Sequence, residues 1–188
     1  LCCELQDRFG QHRIVALRSE KGMGNALDAG ILASTEDYVL LSADDLPFGF
    51  SDVAAAIDDG WSSSIIIGSK AHPSSEIGRS RKRELISSGF RIARRAALFS
   101  RVGDSQGTFI VRGDWARRIA PRLQETGFLF TTEFVYAAEL QRVDITEVPV
   151  RLADHHGQKR TSISKRDVID MGLGLLRIRG RRSSLKRA

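Results

Sequence analysis

Short apolar runs alternate along the chain with amphipathic stretches of helical period. β-branched and aromatic residues are frequent in the runs, and this predicts strands at 13–17, 38–41, 64–70, 108–111 and 144–152. Periodic apolar positions between them predict helices at 27–33, 50–59, 79–101, 115–123, 130–140 and 167–178. Because strands and helices alternate, we expect one α/β domain with a mainly parallel sheet flanked by helices.

Two carboxylates follow the second predicted strand directly. Tyr38–Leu41 leads through Ser42 and Ala43 into Asp44 and Asp45, and Leu46-Pro47 stops the strand. Strand ends of α/β sheets are where such folds bind ligands. Paired carboxylates there suit a hard cation such as Mg²⁺ or Mn²⁺ that also holds a phosphate. A solvated Asp-Asp turn that opens the next helix is the open alternative.

A glycine turn, Gly22-Met23-Gly24, opens the first predicted helix after the 13–17 strand. Free N–H groups at such a helix start can meet an anion. A short Gly-x-Gly also occurs in ordinary strand-to-helix turns, so this interpretation stays open too.

Composition excludes some classes of protein. The chain has 188 residues, 41% of them hydrophobic, and no apolar run approaches the roughly 20 residues that cross a bilayer. Its two cysteines are adjacent, at 2 and 3, and nothing at metal-ligand spacing accompanies them. We therefore expect a reducing, cytoplasmic setting.

The net charge of +6 comes from two segments. Residues 78–101 hold eight basic and one acidic side chain, and residues 177–188 hold six basic and no acidic ones. Such segments predict anionic partners: phosphates, a membrane surface or nucleic acid. Aromatic residues make up 7% and fall mainly in apolar runs, so we expect no stacking surface for nucleic acid.

The order of motifs resembles that of polyprenyl-phosphate glycosyltransferases, such as dolichyl-phosphate mannose and glucose synthases. These are inverting, family-two enzymes with the GT-A fold. The matching pieces are Gly22-Met23-Gly24-Asn25-Ala26-Leu27, Asp44-Asp45-Leu46-Pro47-Phe48, Gly68-Ser69-Lys70, Arg83 with Leu85, Ser87 and Gly89-Phe90, Asp104-Ser105-Gln106, Thr131-Thr132-Glu133, Glu147-Val148-Pro149-Val150 and Gly157-Gln158-Lys159-Arg160.

The chain also departs from the family pattern. Ala43 replaces the first aspartate of the family's Asp-Ala-Asp motif, and Met23 replaces a lysine that is frequent in the glycine turn. The family's Asp-x-Glu motif reads Thr131-Thr132-Glu133 here, so Thr131 replaces its aspartate. The family opens with a strand and a Pro-x-Tyr-Asn-Glu-like turn that holds the base, and nothing similar precedes Leu1. We therefore expect an N-terminally incomplete catalytic domain, with the first strand missing.

The resemblance implies transfer of a hexose from a nucleotide-sugar donor to a lipid-phosphate acceptor, with Mg²⁺ or Mn²⁺ on the donor diphosphate. The implied catalytic residues are Asp45, Asp104, Gln106 and Glu133. The implied donor-binding residues are Gly22, Gly24, Asp44, Asp45, Lys159 and Arg160, with Asp44 and Asp45 holding the metal. The implied acceptor-phosphate residues are Lys70, Arg81, Lys82, Arg83 and Ser87.

Structural explanations stand beside these roles. Lys159 and Arg160 suit a solvated loop, Asp104 and Gln106 suit turn capping, and a first-turn glutamate such as Glu133 is favoured by the helix dipole. The competing functions are a family-two transferase with another acceptor, a non-catalytic remnant, a nucleotide-sugar pyrophosphorylase and a nucleic-acid-binding module. The pyrophosphorylase needs a phosphate loop of its own before the first helix, and none is found.

The pattern divides the chain into a catalytic domain at 1–165 and an amphipathic helix with a basic tail at 166–188. The apolar positions of that helix are Val168, Ile169, Met171, Leu173, Leu175, Leu176 and Ile178. Six cations follow without an acid, a pairing typical of a helix at an anionic membrane surface. We expect a cytoplasmic protein that is peripheral at the membrane; a core helix with a frayed basic end is the alternative.

Overall fold

In a computed structural model of the protein, the described residues are 15–43, 45–77, 81–151 and 165–187, without the side chains of 81–85 and 165–169. The strands are β1 (Tyr38–Leu41), β2 (Ile65–Ser69), β3 (Thr108–Arg112) and β4 (Ile145–Pro149). The helices are α1 (Met23–Ala33), α2 (Ser51–Asp58), α3 (Arg81–Leu98), α4 (Gly113–Ile119), α5 (Phe130–Gln141), α6 (Lys165–Gly180) and α7 (Arg182–Lys186), with a 3₁₀ turn at Ala120–Arg122.

The four strands form one sheet in the order β1-β3-β2-β4. β3 runs antiparallel to both of its neighbours, whereas β2 and β4 are parallel. The predicted α/β class is confirmed, but the sheet is mixed rather than mainly parallel. The antiparallel direction of β3 follows from where its preceding loop lies. The loop after α3 returns to the sheet edge where β2 ends, with the Lys70 N–H 3.0 Å from Asp104 Oδ2. β3 therefore starts at that edge and runs antiparallel to β2.

Both faces of the sheet are covered because successive residues of β2 point to opposite sides. Ile65 and Ile67 belong to the larger core cluster and Ile66 to a smaller one, and all three are fully buried. The larger cluster takes side chains from every helix except α2: Ile31, Leu98, Trp115, Phe134, Ile178 and Leu185 among them. The smaller cluster joins Ala56 of α2 to Ile110 and Val148. The sheet thus lies between two helical layers.

The C-terminal segment packs against the rest of the described protein. α6 lies along α3 and α7 contacts α5. Leu185 is fully buried, and its carbonyl oxygen accepts a 2.7 Å hydrogen bond from Gln141 Nε2. The division at 165/166 stays a prediction. No described helix is long and apolar enough to cross a membrane.

One predicted strand is only partly described. Residues 15–17 of the predicted 13–17 strand lie outside the sheet, with Val15 69% and Leu17 50% exposed. β4 ends at Pro149 and pairs only with β2 within the described sheet, so the proline lies at the end of an edge strand, where it interrupts no central ladder.

The glycine turn before α1 packs tightly on the loop before α5. The Gly24 N–H donates to the Thr126 carbonyl oxygen at 2.8 Å, and the Asn25 N–H contacts the same oxygen at 3.3 Å. A Cβ atom on Gly24 would lie 2.6 Å from the Glu125 carbonyl oxygen and 2.8 Å from Phe130 Cβ. Gly22 adopts φ +140°, which side chains rarely allow. The close approach therefore explains both glycines structurally, and their donor-binding role stays a prediction.

We expect Gly24→Ala to lose about 1–3 kcal/mol of unfolding free energy, because the added methyl group has no room against the 125–126 backbone. Gly30→Ala is the matched control in the same helix. Its Cβ would meet nothing within 4 Å, and alanine should raise helix stability by up to about 1 kcal/mol. Urea denaturation of both variants measures the difference. Equal stability of Gly24→Ala and the parent would contradict the packing.

Candidate active site

Asp45 lies exposed in the turn that follows β1. The turn is tight: Leu46 adopts φ +42°, and its N–H bonds to the Ala43 carbonyl oxygen at 3.1 Å. A leucine in this left-handed region is strained, and such strain is found most often at functional sites. Asp44 lies outside the described residues. Within the described part of the chain, no three His, Cys, Asp or Glu side chains are grouped to hold a metal ion, so the predicted metal site stays a prediction centred on Asp45.

Asp52 attaches this turn to the sheet. It lies in the first turn of α2, is 2% exposed, and accepts a hydrogen bond from the Thr108 hydroxyl at the start of β3. Its other oxygen accepts the Val53 N–H at 2.8 Å. The segment that carries Asp45 is therefore tied to the strand that follows the Asp104 loop.

Asp104 organises a second group of predicted residues. Asp104 Oδ2 accepts the Lys70 backbone N–H at 3.0 Å and lies 3.4 Å from Lys70 Nζ. Asp104 Oδ1 accepts the Gln106 N–H at 2.9 Å, and Lys70 Nζ donates to the Gln106 carbonyl oxygen. The structure thus brings together the predicted acceptor-side lysine and two predicted catalytic residues. Turn capping by Asp104, the structural alternative, is also observed.

Two residues to which the sequence analysis gives no site role, Glu147 and Arg94, brace the loop. Glu147 of β4 accepts the Gly103 N–H at 2.7 Å and the Asp104 N–H at 3.0 Å. Arg94 of α3 is 1% exposed and donates to Ser100 Oγ at 3.0 Å, to the Val102 carbonyl oxygen and to that of Gly103. These contacts hold the loop from two sides.

The pKa of Arg94 is lowered from its usual value. Burial is the largest cause and lowers the pKa of Arg94, while the nearby carboxylates of Glu139, Asp104 and Glu147 act in the opposite direction.

The burial of Arg94 has a signal in the sequence, since Phe90, Arg94 and Leu98 are spaced by four on the inner side of α3. The basic run around Arg94 concealed it.

Glu133 has a different environment from the one expected of a first-turn surface acid. It is fully buried, and Oε2 accepts the N–H groups of Gln124 and Glu125, both at 2.8 Å. Oε1 accepts Arg181 Nε at 2.7 Å, and the same arginine donates to Glu125 Oε1 at 2.8 Å. Burial alone would lower the pKa of Arg181, but the hydrogen bond to Glu125 and the charge of Glu133 raise it. This geometry gives Glu133 a positioning role, and the catalytic role stays a prediction.

A cavity of about 350 Å³ lies between α3, α6 and the Asp104 loop. Its polar lining consists of Lys70, Ser87, Arg91, Asp104, Ser105 and Gln106. Its apolar lining includes Ile86, Phe90, Ala93, Met171 and Leu175. Two predicted acceptor residues and two predicted catalytic residues thus line one space. The side chains of Arg81, Lys82 and Arg83 are not described, and Lys159 and Arg160 lie outside the described residues.

The start of α5 adds hydroxyl groups to this side of the sheet. Ser105 Oγ and Thr132 Oγ1 are 3.0 Å apart, and both side chains are buried. Thr131, which replaces the aspartate of the family pattern, is 5% exposed, and its hydroxyl has no hydrogen-bond partner among the described residues.

Comparison with known proteins found a curated relative of this chain. The chain is 29% identical over 178 residues to a dolichyl-phosphate beta-glucosyltransferase from Dictyostelium discoideum, an alignment that covers 90% of this chain and 54% of that protein. The chain therefore spans about half the length of this curated relative. No protein-family model matches the chain.

A solved structure shows the fold. Glucosyl-3-phosphoglycerate synthase from Mycobacterium tuberculosis, determined with uridine diphosphate, superposes with a TM-score of 0.56 at 14% identity, covering 89% of this chain and 57% of that one. The chain has the GT-A glycosyltransferase fold, as its sequence predicts. The resemblance to polyprenyl-phosphate glycosyltransferases is likewise confirmed.

We expect Glu133→Gln to lose about 1–3 kcal/mol of unfolding free energy, because the amide has one acceptor oxygen in place of two, so its NH2 group must face either the Gln124 and Glu125 N–H groups or Arg181 Nε, and the ion pair is lost. Glu76→Gln is the matched control. It also removes a 2.7 Å pair, with Arg151, but those side chains are 66% and 73% exposed, so its loss should stay below about 1 kcal/mol. Urea midpoints measure both. Equally small losses would mean that the Glu133 pair is not buried as described.

Proposed function

We propose that this chain is a glycosyltransferase catalytic domain that transfers a hexose, with inversion, from a nucleotide-sugar to a polyprenyl phosphate. The observation that carries the proposal is the 350 Å³ cavity, which joins a charged end at Lys70 and Asp104 to an apolar wall. The dolichyl-phosphate substrate in the name of the Dictyostelium relative supports it.

The cavity fits an amphiphilic acceptor. Lys70, Arg91 and Ser87 supply two cations and a hydroxyl for a phosphate. The Lys70 side chain is held between Asp104 and Gln106 and keeps 25% of its area exposed, so its charge remains accessible from the cavity. Phe90, Met171 and other apolar side chains then receive the first part of the prenyl chain, where each buried methylene group contributes about 0.8 kcal/mol.

The donor is placed at the end of β1. Asp45, together with Asp44, would hold Mg²⁺ or Mn²⁺, and the diphosphate oxygens would complete the coordination. The fit is favourable because Asp45 is exposed in a strained turn tied to the sheet. A metal bound there supplies charge stabilisation to the departing nucleoside diphosphate. The uridine diphosphate of the mycobacterial structure supports a uridine nucleotide as the first donor to test.

The reaction needs little acid–base chemistry. An oxygen of the acceptor phosphate, already ionised, forms the new bond to the anomeric carbon as the bond to the donor diphosphate breaks. Thr131 agrees with this, since it gives the start of α5 a hydroxyl in place of a carboxylate. The work left to the protein is positioning and charge stabilisation.

The protein acts at a membrane surface in this proposal. α6 contributes Met171 and Leu175 to the cavity while Leu173 and Leu176 of the same helix are 52% and 61% exposed. One helix therefore contacts both the acceptor cavity and the surroundings through apolar side chains. A lipid acceptor that stays in the bilayer would enter the cavity from such a surface.

We expect Asp45→Asn to weaken the binding of uridine diphosphate in the presence of Mn²⁺ by about tenfold or more, because a charged ligand to the metal is lost. Calorimetric titration measures it. The control is Asp58→Asn, which makes the same charge change at an exposed position near the end of α2. If Asp45→Asn binds as tightly as the control, the metal site lies elsewhere.

We expect Gly172→Phe to lower the rate of transfer to a polyprenyl phosphate by about tenfold or more, because its ring would occupy space that the proposal gives to the prenyl chain. A Cβ at 172 meets nothing within 4 Å, so the fold should tolerate it. Gly180→Phe on the same helix is equally open and does not line the cavity, so it should transfer normally. Nucleotide affinity should stay unchanged in both. Normal transfer by Gly172→Phe would exclude this cavity as the acceptor site.

A further inference from the structure

A second cavity, of about 550 Å³, lies where the C-terminal ends of α3 and α5 meet the start of α7. Its polar lining consists of Arg101, Tyr136, Glu139, Arg142 and Arg182. The cavity is separate from the acceptor cavity: the two share no lining residue, and the nearest lining positions on α3, Ala93 and Leu98, lie about 7.5 Å apart along the helix axis at 1.5 Å per residue. Neither the proposed donor site nor the acceptor cavity uses these side chains.

The cavity carries an excess of positive charge. Arg101, Arg142 and Arg182 are exposed, and within the described residues none of their guanidinium groups makes a hydrogen bond or an ion pair. Glu139 is the carboxylate in the lining: its Oε1 accepts the N–H groups of Arg101 at 2.6 Å and Val102 at 3.3 Å, and its Oε2 is buried with no hydrogen-bond partner among the described residues. Three arginines from three separate segments thus line one cavity with a single carboxylate, which leaves an excess of two positive charges.

Arginines often occur near helix ends only to satisfy the last carbonyl groups. Arg179 does this here, donating to the Ala97 carbonyl oxygen at 2.6 Å. The side chains of the three lining arginines make no such contact among the described residues, although the backbone N–H of Arg142 caps α5. Side-chain capping of α3 or α5 therefore does not explain why their guanidinium groups line one cavity.

Phe99 and Arg142 lie where α3 and α5 end, beside the same cavity. Their φ values of +55° and +58° are those of left-handed helix C-caps: the Phe99 N–H donates to the Arg95 carbonyl oxygen at 2.9 Å, and the Arg142 N–H caps the Ala138 and Glu139 carbonyl oxygens. Phe99 is 71% exposed, although Arg179 lies 5.0 Å from its ring centre. The ends of the two helices thus place an exposed aromatic ring and an arginine beside the cavity.

We propose that this cavity is a binding site for a phosphate group, carried either by the headgroup of an anionic lipid or by a free phosphate compound. Guanidinium groups bind phosphate oxygens in pairs and keep their charge at every physiological pH, so three of them make a phosphate the fitting ligand. The exposed Phe99 ring beside the site favours an amphiphile, because an apolar ring next to cations can enter the boundary between the headgroups and the acyl chains. The site is independent of glycosyl transfer.

The test compares two double variants of equal charge change. Arg101→Gln/Arg182→Gln removes two lining cations, and Arg118→Gln/Arg122→Gln removes two exposed cations from α4 and the 3₁₀ turn. One arm measures calorimetric binding of pyrophosphate. The other measures cosedimentation with phosphatidylcholine vesicles, with and without phosphatidylglycerol. Circular dichroism checks the fold, and Arg142→Gln alone serves as a second variant should the double variant misfold.

We expect the parent and the control to bind alike and the cavity variant to bind roughly 30-fold more weakly, as loss of two cations near an anionic surface predicts. Loss confined to phosphatidylglycerol vesicles, with a further loss in Phe99→Ser, identifies a lipid headgroup. Loss confined to pyrophosphate identifies a free phosphate ligand. If the cavity variants and the control behave alike in both arms, or the parent binds neither probe, the site does not exist.

Discussion

The buried carboxylate of Glu133 is the contact on which the arrangement of the described elements depends. One oxygen holds the backbone at Gln124 and Glu125, and the other holds Arg181 at the end of α6. The loop that it holds receives the glycine turn of α1, and the helix that it holds lines the acceptor cavity. A single charge therefore sets the relative position of the two sides of the proposed site.

Ionic groups are used here to fix position rather than to add net stability. Removing Glu133, Arg181 or Arg94 from water costs several kcal/mol per ion, and their mutual attraction at best offsets that cost. What the pairs provide is a unique geometry, because a buried carboxylate must find its donors in one arrangement only. The Asp104 loop follows the same rule: it has no regular structure, yet Glu147 and Arg94 hold its backbone at defined distances.

Much of the fold is predictable because local patterns determine it. The strand that leads to Asp45, the edge strand that ends at Pro149 and the long helix through Arg94 all lie where their periodicity places them. Such patterns carry no information on strand direction, so the antiparallel orientation of β3 could not be predicted from them. α7 could not be predicted either, since Leu185 is the only large apolar residue in its five positions.

The candidate site was predictable only in its residue types. Asp104 and Lys70 are recognisable as polar residues at strand ends, but their meeting depends on contacts across 34 positions of sequence. Glu133 was recognisable as an acid in a first turn, and only tertiary packing shows that it is enclosed. Partners that lie far apart in sequence, such as Glu133 and Arg181, leave no local signal.

The spacing of that pair also has a consequence for synthesis. Arg181 is made 48 positions after Glu133, a delay of roughly 2–10 s at ribosomal speeds. During that interval the nascent core holds a carboxylate without its cation, and enclosing it is unfavourable. Stable packing of α5 against the sheet is therefore disfavoured until the segment that carries Arg181 has emerged.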